Sequence, residues 1–291
     1  MAEPLVLAAD LVVAYPRRHN LFAREAAPAP ILKGVGIVIN RGETVGIVGE
    51  SGSGKTTLGR ALLGLVQPLS GTLAFDGASL IGLDEGALRP LRRRMQMIFQ
   101  DPMSSLNPRH KIGRILAGPA VLHGMASNRA TALGLVAEVL AKVGLPAAAM
   151  DRYPHELSGG QRQRVGIARA VILKPDFVVA DEIVSGLDVS TQAQVLRMLQ
   201  DLGREMGLAL AFISHDLSVV RSICHRVYVM QEGVVVEEGE CAALFAAPEA
   251  AYTRQLIDAI PLPVRDPDWL NADRAAFETR SSTAPQAEDI S

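Results

Sequence analysis

The sequence predicts an α/β fold with a mostly parallel sheet and crossover helices, and two observations support this prediction. Short strands of apolar and β-branched residues alternate with helical segments over most of the chain, which is the order in which helices connect parallel strands. A glycine-rich loop at 49–56 also lies between an apolar strand and a helix. That local arrangement binds phosphate groups in proteins of this fold class.

Each predicted element follows from a local pattern. Strands are predicted where short apolar runs stop at turn residues: 5–7, 11–15, 35–40, 44–48, 71–75, 95–99, 177–180 and 208–213. A hairpin is predicted from strands 227–230 and 234–237 around the Glu232-Gly233 turn. Helices are predicted at 55–65, 84–94, 160–173 and 191–206. The Ala-rich stretch 102–154 is predicted to be a helical insertion between strands.

Composition narrows the class of protein. Hydrophobic residues make up 48% of the 291 residues and charged residues 21%, as in an ordinary packed domain. The net charge is -2 with both signs mixed, which indicates no general attraction to nucleic acid or anionic lipid. Two cysteines are too few for a disulfide framework, so a reducing cytosol is expected. We expect neither an export signal nor a membrane span, so other chains would have to cross the bilayer in any membrane process.

The loop at 49–56 matches the spacing G-x-x-x-x-G-K-[ST] in full. Its glycines allow backbone N–H groups to close around phosphate oxygens, and the N-terminus of the following helix adds positive partial charge. Lys55 is expected to contact the outer phosphates of a nucleotide, and the Thr56 hydroxyl is expected to hold Mg²⁺. The residues predicted to bind ATP here are Gly49, Ser51, Gly52, Ser53, Gly54, Lys55, Thr56 and Thr57.

Two carboxylates follow the apolar run 177–180. Parallel sheets bind ligands at the carboxyl ends of their strands, so Asp181 and Glu182 are expected to lie beside the phosphate-binding loop. Asp181 is the predicted Mg²⁺-side carboxylate, acting directly or through a bound water. Glu182 is the predicted general base that polarises the attacking water.

A third motif separates this chain from other nucleotide-binding proteins. The pentapeptide Leu157-Ser158-Gly159-Gly160-Gln161 precedes a helix rich in Arg and Ala. It resembles the signature of ABC ATPases, and the resemblance covers about residues 5 to 262. Other residues fall in that family's order: Gln100 resembles the Q-loop, Asp188 the D-loop and His215 the switch histidine, while Tyr15 stands where these proteins place an aromatic ring against adenine.

The resemblance implies a P-loop NTPase fold with a RecA-like core, an antiparallel β subdomain and a helical signature subdomain at about 102–165. It implies an ABC ATPase domain at 1–262 and a polar C-terminal extension at 263–291, which the composition favours as flexible or loosely docked. The implied cofactors are ATP and Mg²⁺. Glu182, His215 and Gln100 are the implied catalytic residues, and Gln100 is also an implied Mg²⁺ ligand.

The signature further implies a pair of ATPases. Ser158 and Gly160 open a helix whose N-terminal N–H groups suit a γ-phosphate, but Lys55 belongs to a different subdomain. In the family that the chain resembles, each ATP is held between one chain's phosphate-binding loop and the partner's signature. The residues implied to contact the partner's nucleotide are Ser158, Gly159, Gly160, Gln161 and Asp188.

Several stretches are similar to ATPase subunits of bacterial dipeptide, oligopeptide and nickel importers: 95–107, 152–169, 190–195 and 252–263. That similarity implies two transmembrane permease subunits, a second related ATPase or a second copy of this chain, and an extracytoplasmic solute-binding protein that acts indirectly. A heterodimer of ATPases is the preferred pairing. The expected location is peripheral, on the cytoplasmic face of the inner membrane.

The chain departs from the family pattern at two positions. Ile183 stands where Pro is usual, and Gly186 stands where Ala is common. Neither departure removes a catalytic group, so hydrolysis is expected to survive. A more mobile D-loop at Gly186 could alter the coupling between the two ATP sites.

Two other functions fit the sequence less well than an importer ATPase does. A soluble ABC ATPase acting on nucleic acid or ribosomes usually joins two cassettes, or carries zinc modules or a coiled-coil arm, and the sequence has no such feature and no basic stripe. A regulator that binds nucleotide without turnover is disfavoured because Lys55, Asp181, Glu182 and His215 are intact. No binding to nucleic acid is therefore expected.

Overall fold

The computed structural model describes residues 3–15 and 29–260. The predicted C-terminal extension at 263–291 lies outside the described residues, as does most of the loop after Tyr15. Within the described part, none of the helices combines the length and the apolar character needed to cross a membrane.

The larger sheet has the strand order β10-β9-β3-β8-β7-β6. All neighbouring strands are parallel except the antiparallel pair β9–β10, as the alternation of strands and helices predicts. In sheet order, the strands are Val234–Glu240, Arg226–Gln231, Thr44–Val48, Ala209–Ile213, Phe177–Asp181 and Met95–Ile98.

The smaller sheet is antiparallel and has the order β2-β1-β4-β5. Its strands are Leu32–Ile39, Val6–Val13, Ser70–Phe75 and Ala78–Ser79. The prediction of separate strands at 5–7 and 11–15 is wrong in one respect, because β1 runs through both. Asp10 interrupts the register with a left-handed φ of 51°, so the apparent break in the sequence is a bulge within one strand.

Ten helices are described, and together with the strands they complete the α/β pattern. They are α1 Lys55–Leu62, α2 Glu85–Arg94, α3 Pro102–Ser105, α4 Ile112–Leu122, α5 Arg129–Lys142, α6 Gly159–Val171, α7 Val189–Met206, α8 Leu217–Ile223, α9 Cys241–Ala246 and α10 Ala251–Asp258. Two short 3₁₀ turns, Ala147–Asp151 and Pro154–Glu156, lie between α5 and α6. Helices α3 to α5 therefore form the insertion between β6 and α6.

The central strands of the larger sheet are buried on both faces, whereas the edge strand β10 is partly exposed. Alternate residues of β7 pack into different cores, since Phe177 and Val179 belong to the core shared with α1 and the smaller sheet, whereas Val178 and Ala180 belong to the core built by the other helices. Strands covered on both faces need continuous apolar sequence rather than alternation. This explains why β7 and β8 consist almost entirely of apolar residues and why the polar groups appear only where they end.

Candidate active site

The phosphate-binding loop connects β3 to α1 and depends on two glycines. Gly49 has a φ of 144°, and a Cβ at this position would lie 2.1 Å from the Met230 carbonyl oxygen. Gly54 has a φ of 104° and caps the N-terminus of α1. A larger residue at either position would be strained, so the sequence pattern corresponds to a backbone requirement.

Lys55 begins α1 and lies buried over the loop. Its Nζ donates to the carbonyl oxygens of Gly49 and Glu50, each at 2.7 Å. Burial lowers the pKa of Lys55, while the carboxylates of Glu182 and Asp181 oppose that shift. The Lys55 ammonium is therefore held against the loop, in the electrostatic field of the Glu182 and Asp181 carboxylates.

The next residue, Thr56, joins α1 to the end of β7. Its hydroxyl donates to Asp181 Oδ1 at 3.1 Å. Burial raises the pKa of Asp181, and the hydrogen bond from Thr56 opposes that effect. A hydroxyl and a carboxylate at hydrogen-bonding distance are hard oxygen donors of the kind that Mg²⁺ prefers, so these two residues fit the predicted metal.

Three strand ends converge on Glu182. Gln100 follows β6, Glu182 follows β7 and His215 follows β8. Gln100 Nε2 donates to Glu182 Oε2 at 2.8 Å, and His215 Nδ1 lies 3.4 Å from Glu182 Oε1. Glu182 itself has a left-handed φ of 48°, and its N–H donates to the Ile213 carbonyl oxygen at 3.0 Å. The carboxylate is thus aimed by its backbone and held between an amide and an imidazole.

Several of these residues line a cleft of about 420 Å³, whereas Asp181 and His215 are not in its lining and contact the lining residues Thr56 and Glu182. Its lining residues are Ile31, Ser51, Gly52, Gly54, Lys55, Thr56, Thr57, Gln100 and Glu182. Sequence reasoning missed Ile31, because a single apolar residue before a strand carries no chemical signal. Gly49 and Ser53 belong to the loop but are not part of the lining, and the Ser53 carbonyl accepts from Gly233 N–H at 3.0 Å. Tyr15 is exposed after β1 and lies outside this lining set.

The signature lies at a second cleft, of about 580 Å³. Ser158 caps α6 through a reciprocal pair of hydrogen bonds with Gln161, at 3.3 and 3.0 Å. Gly160 packs against α7, since a Cβ at this position would lie 2.6 Å from Thr191 Cγ2. Gly159 and Asp188 line the same cleft. Among the described residues, the two clefts have no lining residue in common.

Asp188, which lines the second cleft, is the N-cap of α7. Its carboxylate accepts from the Thr191 N–H at 2.9 Å and from the Thr191 hydroxyl at 2.7 Å. These hydrogen bonds lower the pKa of Asp188. The carboxylate therefore caps its own helix while it faces the signature across the cleft.

The two departures from the family pattern have structural reasons. Ile183 is buried in the core built by the helices, so an apolar residue is accommodated there. Gly186 has a φ of 76°, a conformation that favours glycine over alanine. The D-loop therefore uses Gly186 for a left-handed turn.

Comparisons with known proteins agree with this geometry. The family model described as ABC transporter matches residues 32–185. A putative peptide import ATP-binding protein of Brucella ovis is 51% identical over 247 residues, covering 85% of this chain and 77% of that protein. The glutathione import ATP-binding protein GsiA of Salmonella paratyphi A is 47% identical over 265 residues, covering 91% of this chain and 42% of that protein.

Two solved structures share the fold. One is a dimeric ATP-binding cassette in a post-hydrolysis state bound to ADP and Pi, with a TM-score of 0.71, 28% identity, and coverage of 81% of this chain and 98% of that chain. The other is cbiO1 from Clostridium perfringens, part of the ABC transporter complex cbiONQ, with a TM-score of 0.73, 25% identity, and coverage of 96% and 100%. The predicted fold and family are thereby confirmed, and the chain belongs to the ABC transporter family as an ATP-binding, ATP-hydrolysing cassette.

Proposed function

We propose that this cassette energises a bacterial importer of peptides or of a similar small solute such as nickel. The observation that carries the proposal is the 51% identity to a protein named as a putative peptide import ATP-binding protein, over 85% of this chain. The GsiA relative, named for glutathione import, supports a peptide-like cargo. The cargo itself is selected by other chains.

The cleft beside the phosphate-binding loop suits ATP hydrolysis. Backbone N–H groups of the loop would surround the phosphates. Lys55 donates to two carbonyl oxygens of the loop, and its third N–H would be directed to the outer phosphates. Mg²⁺ bound beside Thr56 and Asp181, with Gln100 nearby, would neutralise charge on the phosphate oxygens. Glu182 would orient and deprotonate the attacking water. His215, whose Nδ1 lies 3.4 Å from Glu182 Oε1, would contact the γ-phosphate.

The Ser158 cleft completes the site of a second ATPase chain. Its helix N-terminus favours a γ-phosphate, yet it lies apart from the Lys55 cleft within one chain. We infer that Ser158, Gly159, Gly160, Gln161 and Asp188 contact ATP bound by a partner. A related ATPase is the preferred partner, and a second copy of this chain is the alternative.

The remaining assignments concern the assembly. Residues 1–262 would be the cassette, and the helices within 102–165 would transmit closure of the ATPase pair to two transmembrane permeases. A solute-binding protein outside the membrane would deliver cargo to those permeases. This chain would therefore lie at the cytoplasmic face of the inner membrane, and Tyr15 would stack on adenine.

Gentle solubilisation of membranes, capture of this chain and mass spectrometry of what accompanies it test the proposal. Recovery of two permeases and a second ATPase is expected. Recovery of the chain from the soluble fraction alone, or with ribosomes or DNA, would contradict the importer assignment. That result would favour the alternative of a soluble ABC ATPase acting on nucleic acid or ribosomes, which the relatives do not favour.

A further inference from the structure

Helix α10 touches the phosphate-binding loop through one buried hydroxyl. The Tyr252 hydroxyl accepts a hydrogen bond from the Glu50 N–H at 3.0 Å, across 202 residues of sequence. Only 9% of Tyr252 is exposed. Burial raises the pKa of this phenol, so the group remains a neutral hydroxyl.

The N–H that Tyr252 holds belongs to the same peptide group as the Gly49 carbonyl. That carbonyl oxygen accepts from Lys55 Nζ at 2.7 Å. A peptide group is planar and rigid, with its N–H and C=O pointing in opposite directions. Holding the Glu50 N–H on one side therefore directs the Gly49 oxygen toward Lys55 on the other.

Helix α10 is itself fixed to β10, so Tyr252 is held in place. The Glu237 carboxylate of β10 accepts from the N–H groups of Glu249 and Ala250 at 2.8 and 3.0 Å. The Arg254 guanidinium donates to the Glu249 carbonyl oxygen at 2.6 Å. These contacts secure the start of α10 against the larger sheet, and the position of the Tyr252 ring follows from them.

We propose that Tyr252 is a positioning residue for Lys55, acting through the Gly49–Glu50 peptide. The inference rests on the proposed role of Lys55 in binding the outer phosphates. A loop whose peptide is held in advance has less conformational freedom to lose when ATP binds, and affinity gains from such preorganisation. Helix α10 thereby becomes part of the nucleotide-binding apparatus without contacting the nucleotide.

The variant Tyr252→Phe removes the hydroxyl and keeps the ring. We expect the Glu50 amide to exchange its hydrogen about tenfold faster in the nucleotide-free chain, because its acceptor is gone. Affinity for adenylyl imidodiphosphate with Mg²⁺ should fall about threefold to tenfold, the range that loss of one hydrogen bond produces. In ATP hydrolysis, KM should rise by a similar factor while kcat changes less.

Tyr228→Phe is the matched control. The Tyr228 hydroxyl accepts from the Val38 N–H at 3.1 Å and from Arg226 Nη2 at 2.8 Å, and neither partner belongs to the loop at 49–56. This variant should lower thermal stability while leaving Glu50 exchange and nucleotide affinity unchanged. If Tyr252 had only a structural role, Tyr252→Phe would likewise lower thermal stability without changing Glu50 exchange or nucleotide affinity.

The possible outcomes distinguish a failure of the proposed function from a failure of the inference about Tyr252. Wild-type chain that neither binds nor hydrolyses ATP would overturn the proposed function and this inference with it. The inference alone would be overturned if the wild-type chain binds ATP but Tyr252→Phe leaves either the Glu50 exchange rate or the nucleotide affinity unchanged. Faster exchange and weaker binding in Tyr252→Phe but not in Tyr228→Phe would support it.

Discussion

Glu182 is positioned by both its backbone and its side-chain contacts, which no single sequence motif predicts. Its backbone lies in the left-handed region and donates to Ile213, while its carboxylate contacts Gln100 and His215. A left-handed φ in a non-glycine residue is strained and persists only where surrounding contacts impose it. The strain at this position aims the carboxylate into the cleft that also contains Lys55.

The variant Glu182→Gln tests the role of that carboxylate. Glutamine keeps the shape and can still bond Gln100, but it cannot accept a proton from water. We expect turnover to fall by about 10²- to 10⁴-fold, the usual contribution of a general base, while ATP binding is retained. Phosphate release in steady state and nucleotide titration measure the two effects.

Glu85→Gln is the control for that experiment, because Glu85 is exposed on α2 and pairs with Arg92 at 2.5 Å. It should hydrolyse ATP as the wild type does. Turnover in Glu182→Gln that stays near the wild-type rate would assign the base to another residue.

Asp181 gives a prediction about stability and pH. Burial raises its pKa above the ordinary value of 3.8, so its contribution to stability is greatest in acid and is lost as pH rises through the raised pKa. Asp181→Asn stays neutral at every pH and can still accept from Thr56. The nucleotide-free variant should therefore unfold roughly 2–4 °C higher at neutral pH, while hydrolysis is lost.

That gain should vanish as the pH approaches 3.8, where wild-type Asp181 is itself protonated in the folded chain. Asp201→Asn, on an exposed salt bridge with Arg204, should show no comparable gain. Thermal unfolding across a pH series makes the comparison. A lower midpoint for Asp181→Asn at neutral pH would contradict the assigned direction.

At the scale of elements, the signature helix and the D-loop helix form one packed unit. Asp188 fixes Thr191 through two hydrogen bonds, and the Thr191 methyl fills the space that a side chain at Gly160 would need. The methyl cannot rotate away without breaking the bond to Asp188. The glycine of the signature is therefore a packing requirement as well as an opening for phosphate.

Gly160→Ala should destabilise the chain by about 1–3 kcal/mol, as overpacking does. Adding Thr191→Ser removes the methyl but keeps the hydroxyl that Asp188 binds, so the double variant should recover most of the loss. Gly166→Ala, where an added Cβ meets no described atom within 4 Å, serves as the control on the same helix. Urea unfolding measures all of them, and a double variant as unstable as Gly160→Ala would disprove the steric explanation.

Elements and motif residues were predictable where the deciding interactions are local. The spacing of Gly49, Gly54 and Lys55 specifies a loop within a few residues, and apolar runs bounded by turn residues located β3, β7 and β8. Contacts that span the chain were not predictable. Ile31 reaches the cleft and Tyr252 reaches Glu50 only because the sheets and α10 bring distant segments together.

At the scale of the whole molecule, the described part of the chain presents two clefts with no lining residue in common, and we propose that each is half of an ATP site. Lys55 and Glu182 line one cleft, where Asp181 accepts a hydrogen bond from the lining residue Thr56, and Ser158 and Asp188 line the other cleft. A similar cassette is dimeric with ADP and Pi bound. We therefore propose that ATP joins two ATPase chains, with each nucleotide lying between them.

Light scattering on the Glu182→Gln chain, together with whichever ATPase co-purifies with it, tests that claim most directly. Since we expect the variant to bind ATP with greatly reduced turnover, adding ATP and Mg²⁺ should convert single chains into a particle with the mass of two, and removing nucleotide should reverse the change. Full occupancy by ATP with the mass remaining that of one chain would contradict the claim.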